Sequence, residues 1–238
     1  MLYWYRVFAK IFCFACFGAG AALLLTPMLY VFPRQQRKLV SFLFRIFIHI
    51  MRTVGVISLS MENREKLHGL SGKIVASNHN SILDVVLLIA LIPNADCIVK
   101  NTLCKRHIFS GITSKIYIPN SLEFSELSAR VSESLNKGNN LIIFPEGSRV
   151  SEGQTSVFKK GTARFAIEHG CDIVPVRFEG NEKIGLRKGD KMLSFHPTEK
   201  YSFHLRVMPA ISMEQYKNMP VKAATEKLTD NLKEILIS

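Results

Sequence analysis

The sequence predicts an α/β layer fold preceded by a membrane-seeking N-terminal segment. Beyond residue 55, apolar runs of strand length alternate with longer runs of helical periodicity. Gly and Pro punctuate the boundaries between those runs. No charged residue occurs from Ile11 to Pro33, so much of the apolar excess of a chain that is 47% hydrophobic sits near its start. At 238 residues the chain has room for one core and an appended element, with an expected division into 1–54 and 55–238.

The Ile11–Pro33 run is long enough to cross a hydrocarbon core of ~30 Å as a helix. Arg6, Lys10 and Ala19-Gly20-Ala21 mimic parts of a cleavable signal. The run continues well past Ala21 and a second apolar stretch follows, which favours a retained anchor. Thr26-Pro27 is expected to kink this helix and Pro33 to help end it. In the second stretch, Leu39 to Met51, the spacing of Ser41, Arg45, His49 and Arg52 places them on one helical face. That pattern predicts a helix lying in the membrane interface, basic side outward. The competing reading is a core-packing helix with snorkelling arginines.

Arg34, Arg37 and Lys38 outweigh Arg6 and Lys10, so this cluster is expected on the cytoplasmic side. The expected location is therefore the inner (cytoplasmic) membrane, with the folded domain facing the cytoplasm. A span with its N-terminus outside and a kinked helical pair dipping into one leaflet both fit.

Net charge is +12, from 31 Lys+Arg against 19 Asp+Glu. Such an excess suits nucleic acid, an anionic membrane or a phosphorylated substrate. No module interleaving basic and aromatic residues is present, so nucleic acid is not an expected partner and an anionic membrane is. Near such a leaflet each Lys or Arg contributes roughly 1 kcal/mol. The five cysteines (13, 16, 97, 104 and 171) are odd in number and scattered. Cys13 and Cys16 lack a second ligand pair, so reduced thiols are expected and neither a metal site nor a disulfide framework is.

The folded part reads in order as follows. Residues 55–72 give a short strand and turns, and Lys73 to Ser77 a strand. Ser81 opens a helix to about Leu91, stopped by Pro93. Strands follow at Asp96–Lys100 and Lys115–Pro119. Leu122–Lys137 is an amphipathic helix closed by Gly138. Asn140–Phe144 is a buried strand, Phe158–His169 a helix ending at Gly170, and Asp172–Phe178 and Tyr201–Val207 are strands. Val221–Ile237 closes the series as a helix with Val221, Ala224, Leu228, Leu232 and Ile235 in register.

Two stretches carry candidate chemistry. Asn78-His79-Asn80-Ser81-Ile82-Leu83-Asp84 lies where a strand should give way to a helix. In one continuous helix His79 and Asp84 would point about 140° apart. On a strand-to-helix turn, Asp84 could instead hold one imidazole nitrogen and leave the other as a base. Ser81-x-x-Asp84 is equally a capping box, and the two roles are compatible. Phe144-Pro145-Glu146-Gly147-Ser148-Arg149 follows the strand Leu141-Ile142-Ile143 and has the parts of an anion pocket. The helix after Phe158-Lys159-Lys160-Gly161 would add its N-terminal amides to that field.

Together these two motifs, about sixty residues apart, resemble those of the glycerolipid acyltransferase family, whose type members acylate 1-acylglycerol-3-phosphate to phosphatidate. Lys100, Phe158-Lys159-Lys160-Gly161 and Ile173-Val174-Pro175-Val176 extend the likeness over roughly residues 55–210. The resemblance implies a mixed sheet flanked by helices, preceded by a membrane-embedded helical pair. It implies His79 as general base, oriented and charged by Asp84, removing a proton from an acceptor hydroxyl that attacks an acyl thioester directly. It implies that Glu146, Gly147 and Ser148 help hold the acceptor, that Arg149 and Lys100 hold its phosphate, and that Pro175 shapes the site wall. Lys115 and Lys159 are further candidate anion ligands. The co-substrate would be an acyl thioester of acyl carrier protein or coenzyme A, with no tightly bound cofactor and no metal.

One position departs from the family pattern. Asn120 stands where the second motif ends in an arginine, and an amide supplies neither charge nor a guanidinium fork. Either Lys100, Lys115, Arg149 and Lys159 suffice for a phosphate, or the acceptor is another lysolipid. Tyr117-Ile118-Pro119-Asn120 resembles acyltransferases of aryl polyene lipid biosynthesis, which keeps the second possibility open.

Overall fold

The computed structural model describes residues 2–21, 23, 26–100, 117–149, 156–179 and 186–237. Helix α1 (Leu2–Gly20) is followed by α2 (Thr26–Val31) and α3 (Gln36–Thr53). Then come β1 (Ile57–Glu62), β2 (Ile74–Ser77), α4 (Ile82–Leu91), β3 (Ala95–Val99), β4 (Tyr117–Pro119), α5 (Phe124–Asn136) and β5 (Asn140–Ile143). The remaining elements are α6 (Gly161–His169), β6 (Ile173–Glu179), β7 (Tyr201–Val207) and α7 (Val221–Ile237).

The seven strands form one mixed sheet in the order β1-β7-β6-β2-β5-β3-β4. Strands β6, β2, β5, β3 and β4 run parallel, β7 is antiparallel to β6, and β1 is parallel to β7. All residues of β2 and β5 are buried, as strands covered on both faces must be. Alternate side chains divide between two cores. Val75, Ile142, Cys97 and Val174 face α3 and α4, whereas Ile74, Leu141, Ile143 and Ile173 face α5, α6 and α7.

Helices are thus present on both faces, as the α/β reading requires. The consequential feature is that β5 inserts between β2 and β3. The register Ile74↔Leu141 and Ala76↔Ile143 puts the ends of β2 and β5 side by side. Two motifs distant in sequence therefore emerge at one edge of the sheet, beyond the carboxyl ends of parallel strands.

The N-terminus departs from expectation. Within the charge-free run, α1 ends at Gly20, Ala21 and Leu23 have π-helical geometry, and α2 opens at Thr26 with Pro27 in its first turn. Arg6 and Lys10 do not flank the apolar stretch but lie within α1, and both are buried. Arg6 Nη1 donates to Thr198 O at 2.8 Å, and Lys10 Nζ donates to Ser194 O.

In α3 Arg45, His49 and Arg52 are exposed as their spacing predicts, but the apolar residues serve two surfaces. Val40, Phe44, Phe47, Ile48 and Met51 are buried in the core, while Phe42, Ile46 and Ile50 are exposed. Ser41, expected to face outward, is buried, and its hydroxyl and Arg45 Nε both donate to Ala90 O, at 3.2 and 2.8 Å. Phe14 and Phe17 of α1 pack on Phe47, with ring centroids 5.2 and 4.4 Å apart.

Candidate active site

Asn78 fixes the turn that leaves β2. Its side-chain amide donates to Phe178 O at 2.8 Å, and its carbonyl oxygen accepts from Phe178 N at 2.7 Å, tying the turn to β6. Ser81 then caps α4 in extended conformation, with both halves of a capping box formed. The Asp84 carboxylate, fully buried, accepts through Oδ2 from Ser81 N and Asn80 N, both at 2.7 Å. The same oxygen lies 3.1 Å from His79 Nδ1. Asp84 is therefore helix cap and imidazole partner at once.

With a carboxylate as acceptor, Nδ1 carries the proton and Nε2 is left as the basic nitrogen. The ring stacks on Phe144, centroids 4.2 Å apart, which limits its rotation. Burial pushes the Asp84 carboxyl above its ordinary range, opposed by His79 and the two amides.

Glu146 sits behind the histidine. Oε2 accepts from the main-chain N of His79 at 2.8 Å, and Oε1 accepts from Ser156 Oγ at 2.8 Å. Burial raises its carboxyl too, against those same bonds. Gly147 follows with φ +69°, and a Cβ there would lie 2.9 Å from Lys159 Nζ. The glycine is needed twice, for its backbone conformation and for the approach of that ammonium.

These groups open onto a groove of about 480 Å³. His79, Gly147, Ser148, Arg149, Lys100, Lys159, Lys188 and Asn120 line it, and no carboxylate does so among the described residues. Val85, Ile98, Phe124, Leu127 and Phe165 supply an apolar part of the wall. Such a site offers one base, a positive field and a greasy surface.

Comparison with known proteins gives this site a lineage. Residues 58–179 match the family described as acyltransferase. The chain belongs to the acyltransferase family. The chloroplastic 1-acyl-sn-glycerol-3-phosphate acyltransferase LPAT1 of Arabidopsis thaliana is 27% identical over 167 residues, covering 66% of this chain and 46% of that protein. A 1-acyl-sn-glycerol-3-phosphate acyltransferase of Borreliella burgdorferi is 28% identical over 138 residues, covering 56% and 55%. The chain spans about half the length of the curated relatives it matches. The crystal structure of the 1-acyl-sn-glycerophosphate acyltransferase PlsC from Thermotoga maritima matches at a TM-score of 0.70 over 100% of both chains, with 18% identity, a likeness of fold. The family expected from the two motifs is the family found.

Not every acyltransferase residue named from sequence faces the groove. Glu146 does not line it, because both of its oxygens are engaged behind His79. Pro175 lies within β6 opposite Ala76 and is also absent from the groove wall. Arg149 lines the groove, but its Nη1 donates to Leu186 O and Arg187 O at 3.1 and 3.2 Å, tying it to the 186–190 segment. Lys115 lies outside the described residues. Lys188 was not anticipated: it lies beyond both motifs, and its exposed basic turn gave no sign that the fold brings it to His79's groove. The apolar lining was equally hidden, since Phe165 and Leu127 read as ordinary core-facing helix residues.

Proposed function

We propose that this acyltransferase is a membrane-attached O-acyltransferase, moving a fatty acyl group from a thioester to the free hydroxyl of 1-acylglycerol-3-phosphate to give phosphatidate. The observation that carries the reading is the His79 imidazole, tied through Nδ1 to buried Asp84 and lining a groove with cationic and apolar walls. His79 Nε2 takes the proton of the acceptor hydroxyl as its oxygen attacks the thioester carbonyl. The C–S bond then breaks, and the imidazolium returns the proton to the leaving thiolate. Asp84 balances the transient charge. Base catalysis of this kind contributes about 10²–10⁴-fold, and holding both reactants in one groove adds a proximity term. Lys100, Lys159 and Arg149 suit the acceptor phosphate and the apolar wall suits acyl chains. Carriage of the acyl group by coenzyme A or acyl carrier protein fits the same site. The names of the relatives support this choice of acceptor.

Attachment is read from residues 1–54, taken as an anchor unit to the catalytic unit 55–238. Helix α1 is long and apolar enough to cross a membrane. Its Arg6 and Lys10, however, are bound to carbonyls of Thr198 and Ser194. A helix held along the protein in this way favours in-plane insertion in one leaflet, with Trp4, Phe8 and Phe12 of α1 and Phe42, Ile46 and Ile50 of α3 outward. The basic residues at 34–38 support the cytoplasmic face of an inner membrane.

The decisive experiment is transfer of labelled acyl groups by wild type and His79→Ala. Transfer should collapse in the variant while it still co-sediments with vesicles; unchanged transfer would refute the mechanism. Asn120 in the groove wall supports a second reading, with a different lysolipid as acceptor. A panel of lysophosphatidate against uncharged and zwitterionic lysolipids separates the two, the preferred acceptor being the one with the highest kcat/KM.

A further inference from the structure

The segment Leu186–Tyr201 connects three places. At its start, Leu186 O accepts from Ile82 N at 3.2 Å and from Arg149, and Lys188 lines the groove beside His79. At its end, Phe195 is buried and stacked on Tyr201, ring centroids 4.0 Å apart, with Lys10 Nζ 5.6 Å from both ring centres. Lys10 also bonds Ser194 O, so this end is fastened to α1.

Between these anchors the chain makes two tight turns. Asp190 N donates to Arg187 O and Ser194 N to Lys191 O, at 3.3 and 3.0 Å, and Ser194 Oγ adds a third bond to Lys191 O at 2.7 Å. Met192 and Leu193 form the corner of the second turn, 47% and 66% exposed. Lys188 and Lys191 precede them in the chain, both exposed. Asp190, the one carboxylate of residues 187–194, accepts the Arg187 amide at 2.8 Å within the turn. A fixed turn that holds two large apolar side chains in water next to two lysines is a surface shaped for an apolar layer beneath a negative one.

We propose that the Lys191–Ser194 turn docks on an anionic phospholipid leaflet, Met192 and Leu193 entering the acyl boundary and the lysines meeting phosphates. This rests on the reading of the chain as membrane-attached. It assigns a contact outside residues 1–54, four residues along the chain from a groove-lining lysine. Docking here would hold Lys188, a residue of the groove wall, near the leaflet that would supply the acceptor lipid.

Trp4 of α1 is the chain's single tryptophan and 57% exposed, so wild type reports on α1 and Trp4→Phe/Leu193→Trp reports on the turn. Both are mixed with phosphatidylglycerol vesicles carrying brominated acyl chains. Quenching by bromine and protection from an aqueous quencher in both proteins is the expected result. Protection of Trp4 alone overturns the docking turn and leaves the N-terminal anchor standing; protection of neither overturns both. A response of the Leu193→Trp protein to a soluble acidic acyl carrier protein, with none to vesicles, also overturns the proposal in favour of a donor dock. As a second measurement, Met192→Ser/Leu193→Ser should raise KM for vesicle-borne acceptor at least about tenfold through lost insertion. Its kcat on a short-chain acceptor below its micelle concentration should be unchanged. An unchanged vesicle KM counts against the turn.

Discussion

Glu146 and His79 meet through a main-chain amide and not through their side chains: Oε2 of the one accepts from N of the other at 2.8 Å. The sequence resemblance implies an acceptor-binding Glu146, whereas the geometry puts its carboxylate on the main chain of His79, and we propose that it positions the loop that carries the histidine. The two roles separate kinetically. In Glu146→Gln the amide oxygen can still accept from His79 while the Nε2 group donates to Ser156, so the turn is only loosened. Glu146→Ala removes both bonds. A misplacement near 1 Å costs about 10²-fold, so kcat should fall roughly tenfold in Gln and about 100-fold in Ala. KM for the acceptor should stay within about twofold if no uniform binding is lost. A rise in acceptor KM at constant kcat would restore Glu146 to the binding site.

The same carboxyl predicts a pH dependence of stability. Burial raises Glu146's affinity for its proton in the fold. Its contribution is therefore fully present below the unfolded value and is lost as pH rises through the folded one. Asp172 has the opposite sign: the hydrogen bond from Lys73 at 2.6 Å holds its carboxyl low, so its contribution is present above the unfolded value and lost as pH falls through the folded one. Urea denaturation across the acid-to-neutral range should show Glu146→Gln gaining on wild type as pH rises and Asp172→Asn losing. Parallel curves for all three proteins would remove both groups from the linkage.

What the sequence made legible follows from which forces are local. The capping box at Ser81 and Asp84 and the buried repeat Ala224, Leu228 and Leu232 depend on neighbours a few residues away and were readable, although Val221 of the same series is exposed and Leu236 takes the buried place expected of Ile235. The placement of β5 beside β2 was not, because a buried strand of Leu and Ile has no pattern that specifies which strand it joins. The burial of Arg6 and Lys10 was missed for a related reason. Hydropathy treats a cation as a mark of the surface, while the fold supplied carbonyls from Thr198 and Ser194, nearly 200 positions away, to satisfy it. Lys188 reaches the groove through tertiary folding alone, and its sequence neighbours are those of any exposed turn.

Helix α3 is tied to the catalytic sheet by a charge pair whose loss should be measurable. Arg37 donates to both oxygens of Asp96, at 2.7 and 3.0 Å, and Ser134 Oγ adds a bond at 2.5 Å. The Asp96 side chain is 5% exposed and that of Arg37 34%. Arg37→Met leaves a buried carboxylate with one hydroxyl partner, which should cost about 2–3 kcal/mol once the arginine's exposure is allowed for. Arg37→Met/Asp96→Asn should recover much of that loss. Additive losses in the double variant would show that the two side chains act independently.

Gly147 tests whether Lys159 binds the acceptor's phosphate. Alanine there meets two penalties, a φ of +69° and a Cβ 2.9 Å from Lys159 Nζ and 3.1 Å from its Cε. The backbone penalty is about 1–2 kcal/mol and should lower thermal stability whatever occupies position 159. The contact acts on the ammonium, which must swing away from the groove. Losing one charge-assisted bond should raise KM for a phosphate-bearing acceptor about tenfold. In a Lys159→Ala background the KM effect of Gly147→Ala should largely vanish while the stability loss persists. If KM instead rises equally in both backgrounds, Gly147 acts through the loop itself and Lys159 is no phosphate ligand.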